Sequence, residues 1–361
     1  MLSFKWQSIL LLIHTLLNLT LSTRPSHVNL LANLINKRKS SMIKQMNDTN
    51  EVVVFGHRNP DTDSVVSALV FADFLRRIKI NAKAYRLNDL DNETKFVLKT
   101  AGIEQPDVLP DNLPNGTKVA LIDHNESQQS MENLKNMRVT YVIDHHKLGD
   151  LTTPEPVFLL FEPVGCAATL ITKLYIDNQL DITQQIAMLI VSAIISDTLH
   201  FRLPTTTDKD RSIVNYLLPI TKIDNVTMYA NQMFEANSDL SGLSLQQILQ
   251  VGFKIFLFND QQWGVSLLYT IYPNRILESK EGLLQEMVDE KKKSNLTGIL
   301  FSVVDIFKGQ NYMFIIGEPE RTVVREAFKA NTERQVADLG SRMSRKKDII
   351  PCLEAYFKTN H

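Results

Sequence analysis

"VFGHRNPDTDSVVSAL", residues 54–69, decides how the rest of the chain is read. It continues the run "EVVVF" (51–55), whose apolar, β-branched residues read as a buried strand. A glycine follows, then His57, then Asp61 and Asp63 on either side of Thr62. Val65, Ala68, Leu69, Ala72 and Leu75 next form an apolar stripe at helical spacing. A strand therefore opens into a turn that carries one imidazole and two carboxylates, and a helix begins directly behind them.

The same ending recurs. "KVALI" (118–122) reads as a strand that runs into Asp123-His124-Asn125. "VTYVI" (139–143) runs into Asp144-His145-His146. Between and beyond them lie "NAKAYRL" as another strand, a helix over about 93–101, the polar run "SQQSMENLKNM" as a helix, and "GCAATLITKLYIDN" and "DITQQIAMLIVSAIIS" as helices. This alternation predicts an α/β fold whose amino-terminal part is a doubly wound, mostly parallel sheet covered on both faces. The carboxyl ends of such strands share one edge, where ligands bind. His57, Asp61, Asp63, Asp123, Asp144, His145 and His146 should meet there, and Asp197, in "SAIISDTLHF", could join them.

Each of these residues has an ordinary explanation when taken singly. An Asp after a strand usually caps a helix or fixes a turn, and a lone His is more often a satisfied polar residue than a ligand. The set resists that explanation, because crowded carboxylates repel one another and burial raises their pKa values. If Asp61, Asp63, Asp123 and Asp197 are ligands, their four charges balance two divalent cations. The chain has only two cysteines, Cys166 and Cys352, so a thiolate metal site is not expected. Histidine and carboxylate favour Mn²⁺ or Co²⁺ over Mg²⁺ and leave Zn²⁺ open.

A break is expected at 236–242, "ANSDLSG", which is small, polar and turn-forming. Beyond it, "LSLQQILQ" reads as a helix, "GFKIFLF" and "WGVSLLYTI" as strands, "ILESKEGLLQEMVDEKKKS" as a helix, and "TGILFSVVDIF" and "NYMFIIG" as strands before a closing helical segment. The expected organisation is a metal-binding domain over 48–236 and a smaller α/β domain over 242–361, with the active site in the cleft between them.

"GHRNPDTDS", "LIDHNE", "VIDHH", "GCAAT" and "ISDTLHF", in this order and with "SRKKDIIP" near the carboxyl terminus, resemble the DHH phosphoesterase superfamily. The resemblance is to its manganese-dependent (family II) inorganic pyrophosphatases, with a DHHA2-like second domain, and covers about 48–361. It implies hydrolysis of pyrophosphate to two phosphates by a hydroxide activated between two Mn²⁺ ions per subunit, with Co²⁺ an alternative and a further Mg²⁺ arriving with the substrate. It also implies that His57, Asp61 and Asp123 bind one ion, and that Asp63, Asp123, His145 and Asp197 bind the other. Asp123 would then be shared and Asp144 would orient a ligand. His146, Lys254, Arg345 and Lys346 would contact substrate, and the roles of His124 and Asn125 stay open. Homodimerisation is expected from family likeness alone.

Two alternatives stand beside this reading. One is a short-chain exopolyphosphatase or another DHH phosphoesterase. The nucleotide-cleaving relatives carry a "GGGH"-like motif, whereas this chain has no Gly-Gly pair. The other is a non-catalytic interaction protein on the same fold, against which the full ligand set argues. A net charge of −1 over 361 residues gives no basic field for nucleic acid.

Residues 1–47 contain no Asp or Glu. Lys5 precedes an apolar run from Ile9 to Leu21 that is short for a membrane span but fits a signal-peptide core, with Thr20 and Ser22 near a cleavage site. "NKRKSS" fits an organelle transit peptide equally. A third reading starts translation at Met42 or Met46 and makes the protein cytoplasmic, whereas the first two make it exported or organellar. The mature domain is not expected to meet a membrane. "NES" at Asn125 is a glycosylation sequon inside the expected pocket, which weighs against a glycosylating route.

Overall fold

The computed structural model describes residues 51–359, so the leader expected over 1–47 lies outside the described residues. β1 (Val52–Phe55) is buried along its whole length. Gly56 follows because α1 (Thr62–Arg77) passes so close that a Cβ there would strike Ser64 Oγ and the Ser64 backbone. Asp61 caps α1, its Oδ1 accepting from Ser64 N at 3.0 Å, a contact worth about 1 kcal/mol. Arg76 and Arg77 in the last turn complement the helix dipole.

β2 (Ala82–Tyr85), α2 (Asn92–Ala101), β3 (Lys118–Ile122), β4 (Arg138–Asp144) and β5 (Phe158–Phe161) follow. The sheet order is β2-β1-β3-β4-β5 and every pair is parallel. β1 and β3 are neighbours although β2 lies between them in sequence. This order reversal is the switch point at which the carboxyl edge of a doubly wound sheet opens to a ligand. α3 (Ala167–Asp177), α4 (Gln184–Thr198), α5 (Asp208–Thr221) and α6 (Val226–Ser238) complete this half. Alternate strand residues feed two cores. Val52, Val54, Ala120, Ile122 and Ile143 pack with residues of α1, α3 and α4. Val53, Phe55, Val119, Leu121 and Val142 pack with Met131, Leu134 and Met137. Burial on both faces explains why these strands read as unbroken apolar runs.

The second half comprises α7 (Leu245–Gln250), β6 (Lys254–Phe258), β7 (Gln261–Thr270), α8 (Pro273–Glu278), α9 (Lys280–Lys293), β8 (Gly298–Asp305), β9 (Gln310–Phe314), α10 (Glu320–Phe328), β10 (Val336–Asp338) and α11 (Ile350–Thr359). Its sheet, in the order β10-β9-β8-β7-β6, is mixed, with β7 and β8 parallel and the other pairs antiparallel.

Three local expectations are corrected. The run "SQQSMENLKNM" is not a helix but two 3-10 turns, Ser127–Gln129 and Leu134–Asn136. Its buried apolar residues, Met131, Leu134 and Met137, recur every third position, the period of the tighter helix. The helix expected over 276–294 is two helices that meet at Ser279. "ANSDLSG" is helical through Ser238 and turns only afterwards.

Glu93, in the first turn of α2, is buried, and its Oε1 has no hydrogen-bond partner among the described residues. Burial, reinforced by the Asp91 charge, pushes its pKa up from 4.5 to about 8. Between those values the folded chain holds a proton that the unfolded chain has released, so stability falls as pH rises across the window. In cation-free protein the loss should reach a few kcal/mol, and Glu93→Gln should remove it. Thermal melts should differ little near about pH 5, with the variant melting higher near about pH 9. Parallel melting of the two proteins at both pH values would contradict this account.

Candidate metal centre

The ends of β1, β3 and β4 and the last turn of α4 bring the expected ligands to one place. Asp123 is central. It follows β3 in a left-handed conformation (φ 62°), uncommon for a non-glycine residue though tolerated best by Asp and Asn. Its N–H donates to Ile143 O at 2.8 Å, which pins the bend to β4. Its two carboxylate oxygens diverge, with Oδ2 3.4 Å from His57 Nε2 and Oδ1 3.0 Å from His145 Nε2. Asp61 Oδ2 lies 3.2 Å from His57 Nε2. His145 Nε2 is also 3.3 Å from Asp197 Oδ2 and 3.8 Å from Asp63 Oδ2.

The tautomer of His145 follows from its surroundings. Its Nδ1 lies 2.8 Å from Val164 O, a carbonyl that can only accept, so Nδ1 carries a proton and Nε2 is the nitrogen left to face a cation or, without one, to take a second proton. Asp123 Oδ1 and His145 Nε2 are both buried and neither has a hydrogen-bond partner among the described residues, despite their 3.0 Å separation. Two lone-pair donors that face a shared cation would sit in this way.

The proton affinities lead to the same conclusion. Burial and the charge of Lys254 oppose a proton on His57, yet Asp61 and Asp123 outweigh them and raise its pKa to about 9. Burial likewise opposes a proton on His145, yet Asp123 and Asp197 raise it to about 10. Burial, with Asp123 beside it, raises Asp63 to about 6. Burial and the charges of Asp63 and Asp123 push Asp197 well up, against His145. The pocket thus draws in positive charge, which protons supply when no metal ion does. Among the described residues, three groups could hold a cation: His57, Asp61 and Asp123; Asp123, His145 and His146; and Asp63, Cys166 and Asp197. The geometry therefore adds Cys166, buried at the start of α3, which the sequence marked only as one of two thiols.

Behind the expected ligands lies a layer of hydrogen-bonded polar side chains. Asp144 is fully buried, and its Oδ1 accepts from His145 N at 2.7 Å and His146 N at 3.0 Å and lies 2.8 Å from His146 Nδ1. Burial resists its ionisation, but His146 and Asn125 hold its pKa at about 2. His146 is thus committed through Nδ1 to Asp144. Asn125 Nδ2 donates to Asp144 Oδ2 at 2.6 Å and to Lys147 O at 2.8 Å. Asn125 is buried, so the "NES" sequon is closed to a glycan in the folded chain. His124 Nδ1 lies 2.9 Å from Ile122 O, and burial lowers its pKa to about 4, leaving a neutral ring beside the acid cluster.

The carboxyl-terminal half supplies the cations. Lys254 opens β6, and burial together with the Arg345 charge lowers its pKa. Arg345 and Lys346 begin a π-helical turn, Arg345–Ile349, capped by Ser344. Arg345 Nη1 donates to Gly252 O, two residues before Lys254, and Lys346 Nζ donates to His145 O. Asn59, from the β1–α1 turn, donates through Nδ2 to Phe253 O at 2.9 Å. Asn59, to which no motif points, thus ties the acidic turn to the strand that begins with Lys254. An arrangement of acids and imidazoles on one side and half-buried Lys and Arg on the other suits a divalent cation with a small polyanion.

Comparison with known proteins gives a consistent result. The DHH family, N-terminal domain, matches residues 51–194, and the DHHA2 domain matches residues 231–356. A Deinococcus radiodurans protein named as a manganese-dependent inorganic pyrophosphatase is 47% identical over 310 residues, covering 85% of this chain and 98% of that one. A Bacillus cereus protein of the same name is 34% identical over 311 residues, covering 85% of this chain and 99% of that one. Among solved structures, a Methanococcus jannaschii protein described as a family II inorganic pyrophosphatase is similar with a TM-score of 0.77 at 33% identity, covering 85% of this chain and 99% of that one.

Proposed function

We propose that this chain, since it belongs to the manganese-dependent inorganic pyrophosphatases of the DHH family, hydrolyses pyrophosphate to two phosphates at the carboxyl edge of its parallel sheet. The observation that carries this reading is Asp123, with one carboxylate oxygen turned to His57 and the other to His145, on an edge that Lys346 reaches from the other half of the chain. His57, Asp61 and Asp123 would hold one Mn²⁺, and Asp63, Asp123, His145 and Asp197 would hold a second. When bound, such ions supply a water acidified toward neutral pH and positive charge beside the phosphoryl oxygens.

The remaining work falls to the side chains. Arg345 offers a planar fork to one phosphate, and Lys254 and Lys346 add point charges. Their half-buried positions make each contact stronger than it would be in open water. His146, held by Asp144, presents its ring to the substrate from a fixed direction. Asn59 keeps the Lys254 strand against the acidic turn, which limits the entry of bulk water. In this reading a further Mg²⁺ accompanies the substrate. Among the described residues, no helix is long and apolar enough to cross a membrane.

Hydrolysis at saturating Mn²⁺ should be measured in parallel, as phosphate release from pyrophosphate and tripolyphosphate and as mononucleotide release from a dinucleotide. Pyrophosphate should be hydrolysed fastest. Preference for tripolyphosphate would favour the exopolyphosphatase reading, and no release from any of the three would favour an interaction protein.

A further inference from the structure

Besides the Cys166 thiol, the segment that links β5 to the first turn of α3 meets the expected ligands through its backbone. Val164 O accepts from His145 Nδ1 at 2.8 Å. Ala167 N donates to Asp63 Oδ2 at 2.6 Å, and Ala168 N lies 3.3 Å from Asp63 Oδ1. Side-chain exchange at 164, 167 or 168 would leave these contacts in place, so whatever fixes the segment fixes both ligands.

Asp210, on α5, does this. Its Oδ2 accepts from Gly165 N at 2.9 Å and its Oδ1 from Thr169 Oγ1 at 2.6 Å. Gly165 is pressed so closely against it that a Cβ would meet Asp210 Oδ2 at 2.8 Å and Thr198 Cγ2 at 2.7 Å. Asp210 also accepts from Thr207 N and Thr207 Oγ1, both at 2.7 Å, which completes the capping box of α5. A capping box needs only contacts within its own helix end. Here the same fully buried carboxylate takes two further donors from a segment 41 to 45 residues away in sequence. His57 and Asp61, by contrast, are positioned by the β1–α1 turn.

We propose that Asp210 is a positioning residue that sets the affinity of one of the two cation sites, the one built on Asp63 and His145, and leaves the site of His57 and Asp61 unchanged. This rests on the two-cation reading above. Outer contacts of this kind commonly change metal affinity without contacting the ion.

The test is a calorimetric Mn²⁺ titration of the full chain stripped of metal, read without turnover. Wild type should show two binding events. Asp210→Ala should weaken one of them by about 10- to 100-fold and leave the other within about twofold. Thr169→Val, which keeps the capping box and removes one hold on the segment, should show the same selectivity with a smaller loss. Asp210→Asn should restore most of the affinity, because its amide can accept from Gly165 N and donate to Thr169 Oγ1. If Asp210→Ala fails to melt cooperatively, Thr169→Val decides by the same selectivity. Equal weakening of both events, or no change in either variant, overturns the role of Asp210 alone. A wild type that binds fewer than two ions overturns the two-cation reading and this inference with it.

Discussion

Asp123→Asn is expected to bind at least one fewer Mn²⁺ per chain and to lose pyrophosphate hydrolysis by roughly a thousandfold or more, with little change in melting temperature of the cation-free protein. The backbone should tolerate the change, because Asn accepts the left-handed conformation that Asp123 adopts. The chemistry should not. One carboxylate oxygen faces His57 and the other faces His145, so an amide can serve one side only and turns an NH₂ toward the other imidazole. Metal analysis of the folded variant, paired with its rate, checks this. Two tight ions with unchanged turnover would mean that Asp123 is not shared.

Arg345→Ala should slow hydrolysis by about 30- to 1,000-fold, which corresponds to the roughly 2–4 kcal/mol lost with one charge-assisted contact to a developing oxyanion. Arg345→Lys should lose less but should not match wild type, since a point charge cannot reproduce a bidentate fork. The guanidinium donates to Gly252 O beside the Lys254 strand and, as a cation, cannot itself be a ligand, so Mn²⁺ content should stay the same. Near-normal turnover of Arg345→Ala, or a defect that proves to be lost metal, would remove Arg345 from the substrate clamp.

Much of the candidate site was legible because the residues that meet there sit where strand periodicity stops. Asp123 and the Asp144-His145-His146 run each end a strand, and a parallel sheet gives them one edge to share. Asp197 was legible less directly, as an acid at the end of an apolar helix. Features outside a regular period were missed. β5, "FLLF", is four residues between proline-bearing segments, and its apolar run shows no alternation. The run from 127 to 137 is polar and reads as a helix, whereas its buried apolar residues keep a three-residue period. The dual use of Asp210 was hidden for a different reason. "TTTDKD" signals a helix start, and nothing local shows that the same carboxylate also grips Gly165 and Thr169. Asn59 escaped notice in the same way, since its partner is a backbone carbonyl 194 residues away.

The central claim is that two cations sharing Asp123 are needed for the chemistry. It is tested most directly by measuring the rate of pyrophosphate hydrolysis against the number of Mn²⁺ ions bound per chain, starting from metal-free protein. The account predicts that the rate stays near background through the first ion and rises with occupancy of the second. Full activity with no metal, or at one ion per chain, would contradict it.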